Sequence, residues 1–285
     1  MRMDNQEESR NVEDVRGSGF RPAHGIGLGT VAVALIAGWI FGVNPLTVLG
    51  LLSGGSAPSV QSVPDSNAPP PPAGDAQAQF VSQVLRSTEV VWTRAFMEVG
   101  RTYEEPKLVL FRDAYPTACG LGEAAAGPFY CPNDRHVYLD LTFFDLMTQQ
   151  LGAPGQFAHA YVVGHEVGHH VQNLLGVLGD DPSARGQTGA GGRSVRVELQ
   201  ADCFAGVWAN RSQQEQGWRL ESGDIESALN AASQIGDDTL QRRSQGTVVP
   251  DSFTHGTSAQ RVEWFKRGFQ GGRIQDCDTL HAGNL

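Results

Sequence analysis

Residues 156–175 read QFAHAYVVGHEVGHHVQNLL, a long helical pattern that ends in the Gly-rich stretch Gly176–Gly192. Within it His165 and His169 stand four residues apart, on one face of a helix, where both imidazoles can meet a single tetrahedral zinc. Glu166 projects beside them and is placed to take a proton from a zinc-activated water. His170 is turned by about 100° from His169 on a helix of 3.6 residues per turn. His159 lies six residues before His165. Neither shares the metal face, and both are read as ordinary polar positions.

Two histidines leave such a zinc one protein ligand short. The next helical pattern, Ser194–Asn210, contains Glu198 and Asp202, again four apart on one face. One carboxylate can bind zinc while the other accepts the free N–H of a ligating histidine and fixes its tautomer. The small Ala201 and Ala205 would let this helix come close to the first. Its apolar neighbours Val195, Val197, Leu199, Phe204, Val207 and Trp208 argue against an exposed acidic face.

Working outward, Ala76–Gly100 carries apolar side chains at helical spacing. Pro106–Arg112 (PKLVLFR) is a short β-rich run, followed by a Gly/Ala-rich loop with Cys119 and Cys131 at its ends. His136–Leu141 (HVYLDL) alternates like a strand with one face buried. Phe143–Gln150 reads as a short helix, and Asp224–Ile235 and Ser258–Phe269 as two further helices. The expected class is α+β, mostly helical with a small sheet.

The N-terminal part has a different composition. No charge occurs from Gly25 to Pro64, and Ile26–Val43 is nearly as long as the roughly 20 residues that span a bilayer core. The expected organisation is a disordered tail over 1–24, a transmembrane anchor over 25–52, a Pro/Ser/Gly-rich linker over 53–75 and one folded domain over 76–285. Arg16 and Arg21 precede the apolar stretch, which predicts a single-pass membrane protein with a cytoplasmic N-terminus and the domain outside. The net charge of −10, from 21 basic and 31 acidic residues, disfavours nucleic acid as a partner.

The stretches CG…GPFYCPND…VYLDLTFF, YVVGHEVGHHVQN, VELQADCFAGVWA and THGTSAQRVEWFKRGF resemble those of the bacterial putative neutral zinc metallopeptidase family, within the glutamate-zincins. That resemblance implies a zincin-like core with one Zn2+ per chain and a peptide or protein substrate. It implies His165, His169 and Glu198 as the zinc ligands, Glu166 as the general base and Asp202 as the partner of His165.

A peptidase also needs a group to stabilise the oxyanion of the tetrahedral intermediate. His255, in a loop just before a helix N-cap, is the candidate, with Tyr130 and Tyr161 as weaker ones. The strand around Val137-Tyr138-Leu139 resembles the edge strand that binds substrate backbone in such enzymes, although pairing inside the protein accounts for it equally. A zinc-bearing envelope scaffold without turnover would use the same ligands but close the site. A hydrolase acting on a non-peptide amide would use the same residues.

The four cysteines, Cys119, Cys131, Cys203 and Cys277, suit an oxidising compartment. A bridge from Cys119 to Cys131 would leave Cys203 and Cys277 to pair, and three pairings are possible. The first bridge would stabilise by about 3 kcal/mol through loop entropy.

Overall fold

Asp75 opens the first helix by accepting the Ala78 N–H at 3.0 Å, and α1 then runs over Ala76–Glu98. In this computed structural model the residues described are 1, 6–17, 68–123, 127–149, 151–179, 187–221, 223–245, 247–283 and 285. The strands are β1 (Val12–Asp14), β2 (Lys107–Leu110), β3 (Ala114–Thr117), β4 (Gly120–Glu123), β5 (Phe129–Cys131) and β6 (His136–Leu139). The later helices are α2 (Thr142–Gln149), α3 (Gln156–Leu175), α4 (Arg193–Gln216), α5 (Asp224–Gln234), α6 (Asp237–Gln245) and α7 (Ser258–Gly271). The class is α+β, as expected.

Among the described residues the main sheet has the order β1-β2-β6-β5. The first three strands run parallel, and β5 is antiparallel to β6. Strands β3 and β4 form a separate hairpin inside the stretch expected to be a loop. Leu108, Leu110, Val137 and Leu139 face the helices and join the large core with Trp92, Phe96 and Phe157. Val109, Phe111 and Tyr138 face the other way, into a small cluster with Val15 and Cys131. The expectation of one buried face on His136–Leu141 is therefore corrected: hairpin β3–β4 and residues before α1 cover the second face. Likewise Val137–Leu139 is not an edge, because β2 and β5 flank it on both sides.

The expected disordered tail over 1–24 is corrected for residues 6–17, the rest of it apart from Met1 lying outside the described residues. Val12–Asp14 pairs in register with Leu108–Leu110, and Val12 is buried. A three-residue strand with two acids has no period from which to be recognised. The domain thus includes residues 6–17 and 68–75 as well as those after Ala76. The expected anchor over 25–52 lies outside the described residues. Among the described residues no helix is long and apolar enough to cross a membrane.

Both cysteine pairs suggested by the spacing are bonded, Cys119 to Cys131 and Cys203 to Cys277. The second ties α4 to the 3₁₀ turn Ile274–Cys277. Helix α7 begins with a full capping box, Thr257 and Gln260 each accepting from the other's backbone N–H.

Candidate metal centre

Helices α3 and α4 can bring their polar faces together because small residues line the crossing. A Cβ on Gly168 would lie 2.9 Å from the Ala201 carbonyl oxygen, and nothing larger than hydrogen fits there without a shift. Helix α4 packs as closely on α7, where a Cβ on Gly268 would collide with the Cys203 carbonyl. The backbone approach sets Glu198 opposite the two histidines.

His165 Nε2 lies 3.2 Å from Glu198 Oε2, and His169 Nε2 lies 3.5 Å from Glu198 Oε1. One ligand atom from each of the three residues lies within 4.8 Å of the other two. A tetrahedral zinc with bonds of about 2.1 Å holds its ligands about 3.4 Å apart, so the donor set fits that ion in number, type and spacing.

The other ring nitrogens are held as a metal site requires. His165 Nδ1 donates to Asp202 Oδ1 at 2.9 Å, which fixes the ring so that Nε2 faces Glu198. His169 Nδ1 donates to Gln172 Oε1 at 2.8 Å. Gln172 is held in turn by giving its amide protons to the Val197 carbonyl and to Gln200, which reaches the Cys277 carbonyl. Asp202 is fully buried and also accepts from Tyr161 and from Arg261, whose Nε and Nη2 stand 2.8 and 3.0 Å from its two oxygens.

Burial by itself would raise the Glu198 carboxyl, yet His169 and His165 beside it hold it well below the usual carboxylate range. Burial would lower His165, but Asp202 and Glu198 prevail and push it up to about 10. A metal entering here displaces protons from the rings, so its affinity falls with falling pH. Glu166 is buried beside the triad, and that burial raises its carboxyl despite the two imidazoles. A carboxylate raised in this way is a stronger base than an ordinary one, which favours proton transfer.

The triad and Glu166 line one open cavity of about 620 Å3. Its remaining wall is mainly apolar, including Phe129, Phe143, Leu146, Val162 and Ile235. His255 lines it too, with Nδ1 3.3 Å from Asp237 Oδ1. Asp237 Oδ2 accepts the N–H groups of Thr254, His255 and Gly256 at 2.6–3.0 Å, which shapes the loop that carries the ring. The other two oxyanion candidates are occupied: the Tyr161 hydroxyl is given to Asp202, and the Tyr130 hydroxyl to His170 Nδ1 at 3.0 Å.

His170 is structural, as read from its angle: its Nε2 reaches the Glu104 carbonyl at 2.7 Å, and burial lowers its ring to about 4. His159 stacks on Phe144, away from the triad. Gln172, Arg261 and Asp237 were missed by sequence reasoning. Only Gln172 carried a local signal, standing three residues after His169 on the same helical face.

The chain belongs to the putative neutral zinc metallopeptidase family, whose profile matches residues 1–280. It is 49% identical over 296 aligned positions to the uncharacterized protein YpfJ of Escherichia coli strain K12, covering 98% of this chain and 99% of that one. It is 46% identical over 192 positions to the uncharacterized protein Rv2575 of Mycobacterium tuberculosis strain H37Rv, covering 64% of this chain and 65% of that one. No solved structure matches.

Proposed function

We propose that this chain is a zinc-dependent endopeptidase whose disulfide-bonded domain works outside the cytoplasm. One observation carries the reading: the His165/His169/Glu198 triad opens with Glu166 onto a cavity large enough for a peptide segment. A scaffold with a closed metal site has no use for that space. The two disulfides support an oxidising compartment.

His165, His169 and Glu198 would hold the ion, which supplies Lewis acidity toward water and a carbonyl oxygen. Asp202 and Gln172 keep the imidazole Nε2 atoms presented. Glu166 takes a proton from the attacking water and passes it to the leaving amine. His255, oriented through Asp237, donates to the oxygen that gains charge. Strand β5 is a sheet edge and lines the cavity through Phe129 and Tyr130, so an extended substrate can pair along it.

The test is metal content and cleavage of a denatured, fluorescently labelled protein by wild type and Glu166→Gln. One zinc per chain in both proteins, with cleavage lost only in the variant, is expected. Equal cleavage by both would overturn the assignment of Glu166, and zinc without any cleavage would favour the scaffold.

A further inference from the structure

Residues 18–67 separate two segments that meet in space. The Asp14 N–H donates to the Pro69 carbonyl at 2.8 Å, and Arg16 reaches Asp75, the cap of α1, at 2.8 Å. The same guanidinium grips Asp14 through Nε and Nη2. Residues 14–16 and 69–75 therefore lie side by side.

Strand β1, just before Gly17, is built into the fold. The Leu108 N–H donates to the Asn11 carbonyl at 2.8 Å, and the Val15 N–H to the Leu110 carbonyl at 2.9 Å. Ser9 and Ser82 exchange two bonds of 3.1 Å. Glu89, on the buried face of α1, accepts from the Ser9 hydroxyl and from Asn11 at 2.8 Å. Without that segment Glu89 would keep Arg86 at 3.2 Å but lose Ser9 and Asn11, and Lys107 would lose its ion pair with Glu13. A buried carboxylate that loses two of its hydrogen-bond donors is unfavourable, so the docked strand is part of the native domain.

The sequence between the two ends contains the uncharged stretch Gly25–Pro64. A single membrane crossing there would put β1 and β2 on opposite faces, which their pairing forbids. Two crossings need about 40 apolar residues, more than Gly25–Leu52 contains. Exchange of β1 between two copies inserted in the same sense does not help, because each copy would still place its own β1 across the membrane from both domains.

We propose that β1 and the metal-bearing domain lie on the same face of the membrane, because β1 is paired in register with β2. This replaces the expected single-pass topology with a cytoplasmic N-terminus, and it is independent of whether the metal centre is catalytic. It also orients the domain. The edge next to β1 is the attached side, and β5 with the cavity lies three strand spacings away, about 14 Å.

The experiment uses the full chain in spheroplasts of a bacterial host, with Glu7→Cys, Arg10→Cys and Gln270→Cys made singly. All three positions are exposed. A membrane-impermeant maleimide is applied before and after lysis. Equal labelling of all three before lysis is expected. Labelling of Gln270→Cys before lysis with a tenfold or greater gain at Glu7→Cys and Arg10→Cys only after lysis would overturn the proposal. Labelling of all three only after lysis keeps the shared face and refutes the extracytoplasmic site of action instead.

Discussion

Arg261 and Asp202 form a two-pronged buried pair, Nε to Oδ2 at 2.8 Å and Nη2 to Oδ1 at 3.0 Å, directly behind the imidazole of His165. The arginine comes from α7 and the aspartate from α4, so the metal face of α3 is braced by two other helices. Burial would raise the Asp202 carboxyl, but Arg261 and then His165 keep it below its ordinary value. It stays an acceptor for the His165 Nδ1 proton.

Breaking that pair from either side should therefore affect zinc. Asp202→Ala is expected to lower zinc affinity about 10- to 100-fold, measured by competition with a chromogenic chelator. Arg261→Ala leaves Asp202 charged without its main partner and should cost about 3–5 kcal/mol of stability, read by denaturant unfolding. Unchanged values in both would remove this network from the metal site.

For Glu166→Gln the shape and the metal ligands are kept while the base is removed. Activity should fall about 10²- to 10⁴-fold with zinc content unchanged. Loss of zinc in this variant would mean that Glu166 holds the site together rather than acting on substrate.

His255→Ala should reduce kcat about 10²-fold with little change in KM, as expected for a group that acts on developing charge. Steady-state kinetics on a peptide found by the cleavage assay would decide it. A rise in KM alone would make His255 a binding residue.

Asp237, which orients His255, also makes stability depend on pH. Burial works against its charged form, but the His255 ring and the N–H groups of His255 and Thr254 win and lower its carboxyl. With the folded value below the unfolded one, its stabilisation is complete above about pH 4 and is lost as pH falls below that. Thermal unfolding midpoints of Asp237→Asn should decline less steeply below pH 4 than those of wild type. Parallel declines would show that Asp237 contributes nothing to acid unfolding.

Gly268→Ala tests the helix approach. The added methyl has no room against the Cys203 carbonyl, so α7 must move from α4, at a cost of about 1–3 kcal/mol. Because α7 carries Arg261, zinc should also be held less tightly. A variant as stable as wild type would show that α7 can shift without cost.

Local pattern was enough for much of this. The bounds of α3, the shared face of His165 and His169, and the pairing of Glu198 with Asp202 on one helix all follow from a 3.6-residue period. That period is set within a few residues of chain. Even the main strands at Lys107 and His136 announced themselves through β-branched and aromatic runs.

Tertiary structure alone decided what stands behind those residues. Arg261 reaches Asp202 across 59 positions of sequence, Asp237 reaches His255 across 18, and β1 finds β2 beyond residues 18–67. No spacing rule couples positions so far apart. They meet because glycines let helices close on one another and because a short strand fills an exposed edge, and both are properties of the packed chain rather than of any one segment.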